Sequence, residues 1–373
     1  MMTQQVLFDH GPLGGPTRFS APHRVIRADT PAEVYDALAA LQEAQDNGQW
    51  LAGFASYELG YVFSHKLRDL LPVPRDTPLL HFGVFDAPVA AELPAPSAGV
   101  ALTAPKPIWT KAQYQSAFDQ IKAYIAAGDI YQANLTMPMT AQSDADPLDL
   151  YAALCAKQAV PHGAFVDLGG PVLLSRSPEL FFDIDADRTL SARPMKGTAP
   201  RGGTKAEDAA LKKWLHRSEK NRAENLMIVD LLRNDMSRIS EIGTVKVPKL
   251  YDVETYATLH QMTSSITAQL RDDLSLTEIF EALFPCGSIT GAPKIRAMQV
   301  IEELEAGPRG VYCGAIGWIA PDGPMQFNVA IRTLTCLPSG TIRLNVGGGI
   351  VHDSEGADEY DEAVLKAQFA VLG

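Results

Sequence analysis

Residues 172–193, VLLSRSPELFFDIDADRTLSAR, decide the fold of this chain. They contain three short apolar stretches, VLLS, ELFFDI and TLSAR, and the polar turn 185–188 separates the last two. Stretches of this length that are joined by short polar turns are typical of antiparallel strands. The segment therefore predicts antiparallel sheet in the middle of the chain.

Helical patterns flank this segment on both sides. Thr110 and Gln113 form a capping box that opens a helix ending at Gly128. Residues 206–237 are helical in composition, and three strand-like pieces and an acidic helix follow at 314–319, 328–334, 341–346 and 355–371. The sequence shows neither a repeat of about 20–50 residues nor regular β-α alternation. We therefore predict an α+β fold with large antiparallel sheets and helices outside them.

A connector rich in proline and alanine, residues 86–107, divides the chain. The preceding residues 1–85 include a helical stretch at 31–45 and the strand-like GFASYELGYVF at 53–63. A segment of this size is too small to fold alone. We expect it to pack on the main region, residues 108–373.

Composition excludes several classes of protein. With 373 residues, 46% hydrophobic and 20% charged, the chain is an ordinary globular sequence. No apolar run approaches the roughly 18 residues of a membrane span, and the N-terminus lacks the pattern of a signal peptide, so we expect a cytoplasmic protein with no membrane partner. A formal net charge of −12 without a basic tract argues against nucleic acid. The four cysteines lie far apart, so we expect reduced thiols rather than a zinc site or disulfides.

Two segments carry candidate binding residues. In SITGAPKIRAMQVIEELEAG, 288–307, Thr290 and Gly291 precede a predicted helix, whose free N–H groups and dipole favour an anion. In VGGGIVHDSEGADEYDEAVLKA, 346–367, three glycines follow a strand, and Glu359 and Glu362 share one face of the next helix. Mg²⁺ needs one or two such carboxylates plus substrate oxygens. Taken alone, each segment is explained better by an ordinary capped helix.

The motifs become specific in combination. Their ordered series closely resembles the chorismate-binding enzyme family, which includes anthranilate, isochorismate, salicylate and aminodeoxychorismate synthases. The resemblance covers roughly residues 110–373, and the family's catalytic domain is a single layered unit around two large sheets. The motifs that carry it are SRSPELFF (175–182), RPMKGTAPRG (193–202), RAENLMIVDLLRND (222–235), PCGSITGAPKIRAMQ (285–299), YCGAIGW (312–318), IRTL (331–334) and GGGIV (347–351), with GFASYELGY and GDIYQANLT as further family-like sequence.

The resemblance implies a substrate, a metal and the residues that hold them. Mg²⁺ would be bound by Glu224 and Glu362, with Glu359 behind them, and would bridge to a carboxylate of chorismate. The residues implied to cradle the substrate's carboxylates and enolpyruvyl arm are Thr198, Thr290, Gly291, Tyr312, Arg332, Gly347, Gly348, Gly349 and Lys366.

Lys196 is the position that separates the branches of the family. Anthranilate synthases tend to carry alanine there, whereas lysine is common in the aminodeoxychorismate-forming branch. The resemblance implies that Lys196 adds to C2 of chorismate while Glu179 protonates the departing C4 hydroxyl, and that ammonia then displaces the lysine. The product would be 4-amino-4-deoxychorismate, a precursor of 4-aminobenzoate and folate. The sequence contains no glutaminase motif, so we expect ammonia from a separate glutamine amidotransferase subunit or from solution.

Two departures from the family pattern affect these expectations. Asn221 stands where many relatives have a second glutamate, so the outer shell of the metal would be thinner. Gln261 stands where relatives usually have histidine, and a displacement by one residue on a strand reverses the face, so His260 receives no catalytic role. Two alternatives remain open, an anthranilate synthase large subunit and a non-catalytic subunit that has kept the fold.

Overall fold

The computed structural model describes residues 4–256, 259–305 and 307–372. Strands dominate it, and every strand pair is antiparallel. The strands are β1 (Gln5–Phe8), β2 (Thr17–Ser20), β3 (Arg24–Ala28), β4 (Trp50–Ala55), β5 (Leu80–Phe85), β6 (Val89–Ala90), β7 (Lys106–Pro107), β8 (Gln132–Gln142), β9 (His162–Asp167), β10 (Val172–Ser177), β11 (Leu180–Ile184), β12 (Thr189–Ala192), β13 (Met195–Pro200), β14 (Lys246–Thr255), β15 (Leu259–Gln269), β16 (Gly291–Ala292), β17 (Ala315–Ile319), β18 (Met325–Val329), β19 (Thr333–Cys336) and β20 (Thr341–Ile350).

The helices lie between these strands along the chain. They are α1 (Pro31–Asp46), α2 (Leu59–Val62), α3 (Lys111–Ala126), α4 (Pro147–Lys157), α5 (Lys205–Arg217), α6 (Glu219–Ser237), α7 (Leu276–Leu283), α8 (Lys294–Leu304) and α9 (Gly356–Lys366). Short 3-10 turns occur at Arg68–Leu70, Gly287–Ile289 and Ala367–Ala370. Of the described helices, none combines the length and apolar character needed to cross a bilayer.

The strands form two large sheets. The first runs in the order β16-β8-β20-β19-β10-β9-β1-β2-β6, with β7 paired to β8. The second runs β13-β15-β12-β11-β18-β17-β4-β5-β3, with β14 paired to β15. This arrangement confirms the predicted α+β fold with two large antiparallel sheets.

Four apolar clusters lie among the described residues, and the three largest hold the sheets and helices together. Between the sheets, Phe8 and Val166 from the first sheet share one core with Phe54 and Ile316 from the second. Helices α1, α6 and α7 cover the outer face of the second sheet, and α3, α4 and α9 cover that of the first. Both faces of each sheet are buried. The strands therefore carry apolar side chains on both faces of the sheet.

The chain crosses from the first sheet to the second within residues 172–193. Strand β10 belongs to the first sheet and β11 to the second, so Pro178 and Glu179 form the crossing. A second crossing, residues 330–332, joins β18 in the second sheet to β19 in the first. Backbone hydrogen bonds link the two crossings: the Arg176 N–H donates to the Arg332 carbonyl (2.9 Å), and the Val329 N–H donates to the Glu179 carbonyl (3.0 Å).

Several local predictions are corrected by the structure. The strand-like segment 53–63 is a strand only to Ala55 and then turns into the short helix α2. The predicted strand 328–334 is broken at the second crossing, where Arg332 has a φ of 49°. The predicted helix 206–237 divides at Ser218, whose side chain caps α6. The three glycines 347–349 lie inside β20 rather than after a strand.

The N-terminal region contributes to both sheets. Residues 5–85 supply β1 and β2 to the first sheet and β3, β4 and β5 to the second. Within 86–107, two-residue strands pair with β2 and β8. The described residues of the N-terminal region therefore contribute strands to the same two sheets as the rest of the chain.

Candidate active site

Glu179 occupies the first crossing and is buried. Its side chain is 7% exposed and accepts a hydrogen bond from Ser288 Oγ at 2.8 Å. Burial raises the pKa of this carboxyl, and the charges of Lys196 and Arg332 partly oppose the rise. A carboxyl with a raised pKa holds its proton to a higher pH and is suited to donate it to a leaving group.

Lys196 lies on β13, the edge strand of the second sheet, and is half-buried. Burial lowers the pKa of its ammonium, and Glu179 exerts the largest opposing charge effect. The pairing of β13 with β15 is irregular between Met195 and Thr198, so Lys196 stands in a bulge. Gly197 provides the left-handed backbone there with a φ of 86°, and its carbonyl accepts a hydrogen bond from Gln261 Nε2 at 2.9 Å.

Two cations of the site lack a carboxylate partner in the described part of the chain. Neither Lys196 nor Arg332 makes a side-chain hydrogen bond or an ion pair there. Arg332 is half-buried, and burial lowers its pKa while Glu179 opposes the change. Buried cations without a built-in counterion favour an anionic ligand, because such a ligand would offset the cost of their desolvation.

Acidic residues from α6 and α9 converge beside these cations. Glu359 accepts a hydrogen bond from Ser354 Oγ at 2.6 Å, and Glu362 pairs with Lys366 Nζ at 2.8 Å. Burial and the charges of Glu359 and Glu362 raise the pKa of Glu224. The three carboxylates therefore lie close enough to repel one another.

Gly348 leaves room for this cluster above β20. A Cβ atom at this position would lie 3.1 Å from Glu359 Oε2 and 3.5 Å from Lys366 Nζ. Lys366 also donates to the Gly347 carbonyl at 2.8 Å. A side chain at position 348 would fill the space between the strand and α9.

The acidic cluster offers carboxylate oxygens, the kind of ligand that Mg²⁺ takes in proteins. Across the described ranges, no three His, Cys, Asp or Glu side chains are close enough to form a complete metal centre. Mg²⁺ does not need one, since it commonly binds one or two carboxylates and completes its octahedron with water and substrate oxygens. The mutual repulsion of Glu224, Glu359 and Glu362 leaves negative charge that a hard divalent cation would offset.

The residues 290–291 are placed differently from the prediction. Gly291 pairs with Ala133 of β8 and lies in β16, so it is not at the N-terminus of α8. Thr290 is fully buried, and its hydroxyl donates to the Cys286 carbonyl at 2.8 Å. The helix begins after Pro293, so the predicted position of these residues at its terminus is wrong, whereas their role in binding the substrate stays a prediction.

The remaining predicted substrate residues, Tyr312, Thr198 and Gly349, differ in burial and in the groups they contact. Tyr312 is 8% exposed, and burial raises its pKa, with Arg309 and Glu305 among the charges that act on it. Thr198 is exposed and pairs with Gln261. Gly349 faces the Gln132 side chain. The charged residues Glu179, Lys196, Glu224, Arg332, Glu359, Glu362 and Lys366 form one electrostatically connected set.

His260 is held by other protein groups. It is 1% exposed, its Nε2 lies 2.9 Å from Asp208 Oδ1, and its Nδ1 lies 3.0 Å from Thr255 Oγ1. Asp208 in turn binds Arg201. Both ring nitrogens thus have protein partners, an arrangement typical of a structural histidine.

Two polar residues of the site were not among the predicted ones. Ser288 donates to Glu179, and Gln132 is 1% exposed with its Nε2 unpaired among the described residues. A Cβ atom on Gly349 would lie 2.9 Å from that nitrogen. The family-like stretch GDIYQANLT contains Gln132, so its presence in a motif was the available clue.

Comparison with known proteins places the chain in one family. The model of the family described as chorismate binding enzyme matches residues 14–371. The chain is 46% identical over 275 residues to the aminodeoxychorismate synthase of Streptomyces griseus, covering 74% of this chain and 38% of that protein. It is 44% identical over 257 residues to aminodeoxychorismate synthase component 1 of Escherichia coli strain K12, covering 69% of this chain and 56% of that protein.

The matched region is therefore less than two thirds of the length of these two relatives. Among solved structures, anthranilate synthase component I from Streptococcus pneumoniae TIGR4 matches with a TM-score of 0.82 and 25% identity, covering 99% of this chain and 93% of that chain. The family model, the relatives and the fold agree over most of the chain, which belongs to the chorismate binding enzyme family.

Proposed function

We propose that this protein converts chorismate and ammonia to 4-amino-4-deoxychorismate by covalent catalysis at Lys196. One observation carries the proposal: half-buried Lys196 and buried Glu179 feel each other's charge, and burial shifts the lysine toward its neutral amine and the glutamate toward its protonated acid. A neutral amine can attack carbon, and a protonated carboxyl can assist the departure of a hydroxyl group. Both shifts therefore favour the form that the reaction needs.

The proposed reaction has two displacement steps. In the first, Lys196 Nζ forms a bond to C2 of chorismate, the C4–O bond breaks, and Glu179 gives its proton to the departing hydroxyl to form water. In the second, ammonia forms a bond to C4 and the bond between C2 and Lys196 breaks, so the lysine leaves as a neutral amine. A proton of the new C4 ammonium returns to the Glu179 carboxylate, which restores both residues.

The carboxylates of chorismate are proposed to lie against the two unpaired cations and the open face of β20. Arg332 can form a charge-assisted, two-pronged contact to one carboxylate. The Gln132 amide offers a further donor beside Gly349. The two crossings hold Glu179 and Arg332 in a fixed relation, because the Glu179 carbonyl accepts from the Val329 N–H and the Arg332 carbonyl accepts from the Arg176 N–H.

Glu224, Glu359 and Glu362 are proposed to hold Mg²⁺. A bound Mg²⁺ would neutralise a substrate carboxylate and offset the repulsion between that carboxylate and the three glutamates. Lys366, which contacts Glu362 and the Gly347 carbonyl, would keep α9 against β20. Asn221, where many relatives carry glutamate, packs against Gly197 and adds no carboxylate.

Ammonia is proposed to come from a separate glutamine amidotransferase subunit or from solution. The matching protein of Escherichia coli is called component 1, which is consistent with a partner subunit. The product would serve the synthesis of 4-aminobenzoate and folate, and the cytoplasm is the proposed location.

The test is a direct product assay. The protein is incubated with chorismate, ammonium chloride and Mg²⁺, and the products are separated and analysed by mass, with and without an added aminodeoxychorismate lyase. We expect a product in which an amino group replaces a hydroxyl, and 4-aminobenzoate after the lyase is added. Unchanged chorismate under these conditions would overturn the proposal.

An anthranilate-forming activity is the second candidate, because the matching solved structure is an anthranilate synthase component I. That reaction places nitrogen on C2 and releases pyruvate. Anthranilate fluoresces and differs in mass from 4-amino-4-deoxychorismate, so the same assay separates the two activities.

A further inference from the structure

Strand β13 carries one extra residue at the place where Lys196 stands. From Met195 to Thr198 this strand advances three residues, whereas its partner β15 advances two, from Thr263 to Gln261. A bulge of this kind bends the strand and redirects the side chains that it carries. The backbone of the bulge therefore decides where Lys196 points.

Lys196 has no polar contact of its own that fixes its side chain. Across the ranges that the structure describes, its ammonium makes neither a side-chain hydrogen bond nor an ion pair. A lysine side chain has many rotamers, and holding it in one of them costs conformational entropy. The position of its amine therefore depends on how firmly the backbone beneath it is held.

Gln261 holds this backbone from the neighbouring strand. Its Nε2 donates a hydrogen bond to the Gly197 carbonyl at 2.9 Å. Gln261 is half-buried, and its own backbone lies between two strands, since it pairs with Thr198 of β13 and with Glu254 of β14. The sheet thus fixes the donor, and the donor fixes the carbonyl of the bulge.

Asn221 on α6 packs against the same bulge. Gly197 has a φ of 86°, and a Cβ atom there would lie 2.8 Å from Asn221 Oδ1. The amide of Asn221 is oriented by Ser218, whose Oγ accepts a hydrogen bond from Asn221 Nδ2 at 2.8 Å. Ser218 also caps α6, the helix that carries Glu224. Two neutral amides therefore contact the bulge, and neither adds a charge beside Lys196.

We propose that Gln261, together with Asn221, positions Lys196 for attack by clamping the bulge at Gly197. Both are positioning residues, because they act through the backbone of the lysine. The rate of attack depends on the distance and angle between the amine and C2 of chorismate, and a displacement of about 1 Å can cost about a hundredfold in rate. The effect on turnover rests on the proposed function, whereas the clamp itself is measured without substrate.

The clamp is tested on the substrate-free protein by amide hydrogen exchange. Gln261→Met keeps the length of the side chain and removes the N–H donor. We expect the amides of residues 195–200 to exchange about tenfold faster in this variant, because loss of the hydrogen bond lets the bulge open locally. Tm should stay within about 4 °C of the wild type, since the rest of the fold is unchanged. Gln120→Met alters an exposed glutamine on α3 and is the matched control, which should exchange as the wild type does.

Turnover and adduct formation then test the role of the clamp. Gln261→Met should lower kcat by about tenfold or more and leave the KM for chorismate within about twofold, because Arg332 and the acidic cluster are unchanged. Adduct formation on the Lys196 peptide in the absence of ammonia should slow by the same factor. Because both amides act on one bulge, Gln261→Met combined with Asn221→Ala should lower kcat by less than the product of the two single effects.

The possible outcomes separate the clamp from the reaction. Unchanged exchange in Gln261→Met would overturn the clamp, and fully multiplicative effects of the two changes would overturn the joint action of Gln261 and Asn221. Faster exchange with an unchanged kcat would overturn the positioning role, as would a raised KM for chorismate with an unchanged kcat, which would place Gln261 in substrate binding. Faster exchange in Gln261→Met, with neither product nor adduct from the wild type, would keep the clamp and reject the proposed function.

Discussion

Replacement of Lys196 by alanine gives the sharpest test of covalent catalysis. The variant keeps Arg332, the acidic cluster and the Gln261 contact to the carbonyl of Gly197, so chorismate should bind with nearly unchanged KM. What it loses is the only group proposed to form a bond to C2. We therefore expect binding without formation of 4-amino-4-deoxychorismate.

The size of the effect follows from the state of the amine. With its ordinary pKa of 10.5, only about one lysine in three thousand is neutral at pH 7, and each unit by which burial lowers the pKa raises that fraction tenfold. The wild-type rate should thus rise with pH as Lys196 loses its proton, and fall again as Glu179, whose pKa is raised, loses its own. Alanine removes the nucleophile entirely. We expect kcat to fall by about three orders of magnitude or more, or about 4 kcal/mol of transition-state stabilisation.

Two measurements check this prediction. Product analysis of Lys196→Ala should show any residual product shifted toward C2 substitution, because C2 is then open to ammonia or water. Mass analysis of wild-type protein quenched without ammonia should find an adduct on the peptide that carries Lys196. Lys196→Arg should not rescue activity, since arginine stays charged, and Lys213→Ala, which removes an exposed lysine from α5, should behave as wild type. Near-normal product from Lys196→Ala would refute covalent catalysis and leave the lysine an electrostatic role.

Three further predictions address the substrate contact, the metal and the structural histidine. Arg332→Ala should raise the KM for chorismate by about tenfold or more with a smaller effect on kcat, because a contact to a carboxylate is present in ground and transition states alike. Steady-state kinetics measures both constants, and an unchanged KM with a lowered kcat would contradict this prediction. Glu362→Gln should weaken Mg²⁺-dependent chorismate binding, measured by calorimetry across a magnesium titration, and full wild-type turnover in excess chelator would exclude the metal requirement. His260→Ala should lower the free energy of unfolding by about 1–3 kcal/mol, because it removes a buried ring and its hydrogen bonds to Asp208 and Thr255, while kcat stays within about threefold. Urea denaturation measures the first, and a thousandfold loss of kcat with unchanged stability would disprove the structural role.

Strand and helix periodicity predicted much of the fold. The helix opened by Thr110 was expected to end at Gly128, and α3 spans Lys111–Ala126 with Gly128 at a φ of 80°. The antiparallel pattern at 180–192 is the hairpin of β11 and β12. These elements were predictable because local capping and alternation agree with their final environment.

Changes of sheet were not predictable in the same way. Residues 328–334 carry a continuous strand pattern, yet the chain leaves one sheet at Val329 and joins the other at Thr333. Alternation reports which face a residue occupies and says nothing about which sheet its strand joins. The position of Arg332 beside Glu179 depends on that change of sheet, so the pair could be inferred only from the family motif.

The same limit explains why the hydrogen bond from Ser288 to Glu179 could not be predicted from the sequence. Ser288 and Glu179 are 109 positions apart in the sequence. Only the fold brings the 3-10 turn at Gly287–Ile289 against the first crossing. A hydroxyl at this point has a definite consequence for Glu179. Because it donates to the carboxylate, it opposes the rise in pKa that burial produces. Ser288 thus keeps the acid able to release its proton, which a general acid in a fully apolar pocket would do less readily.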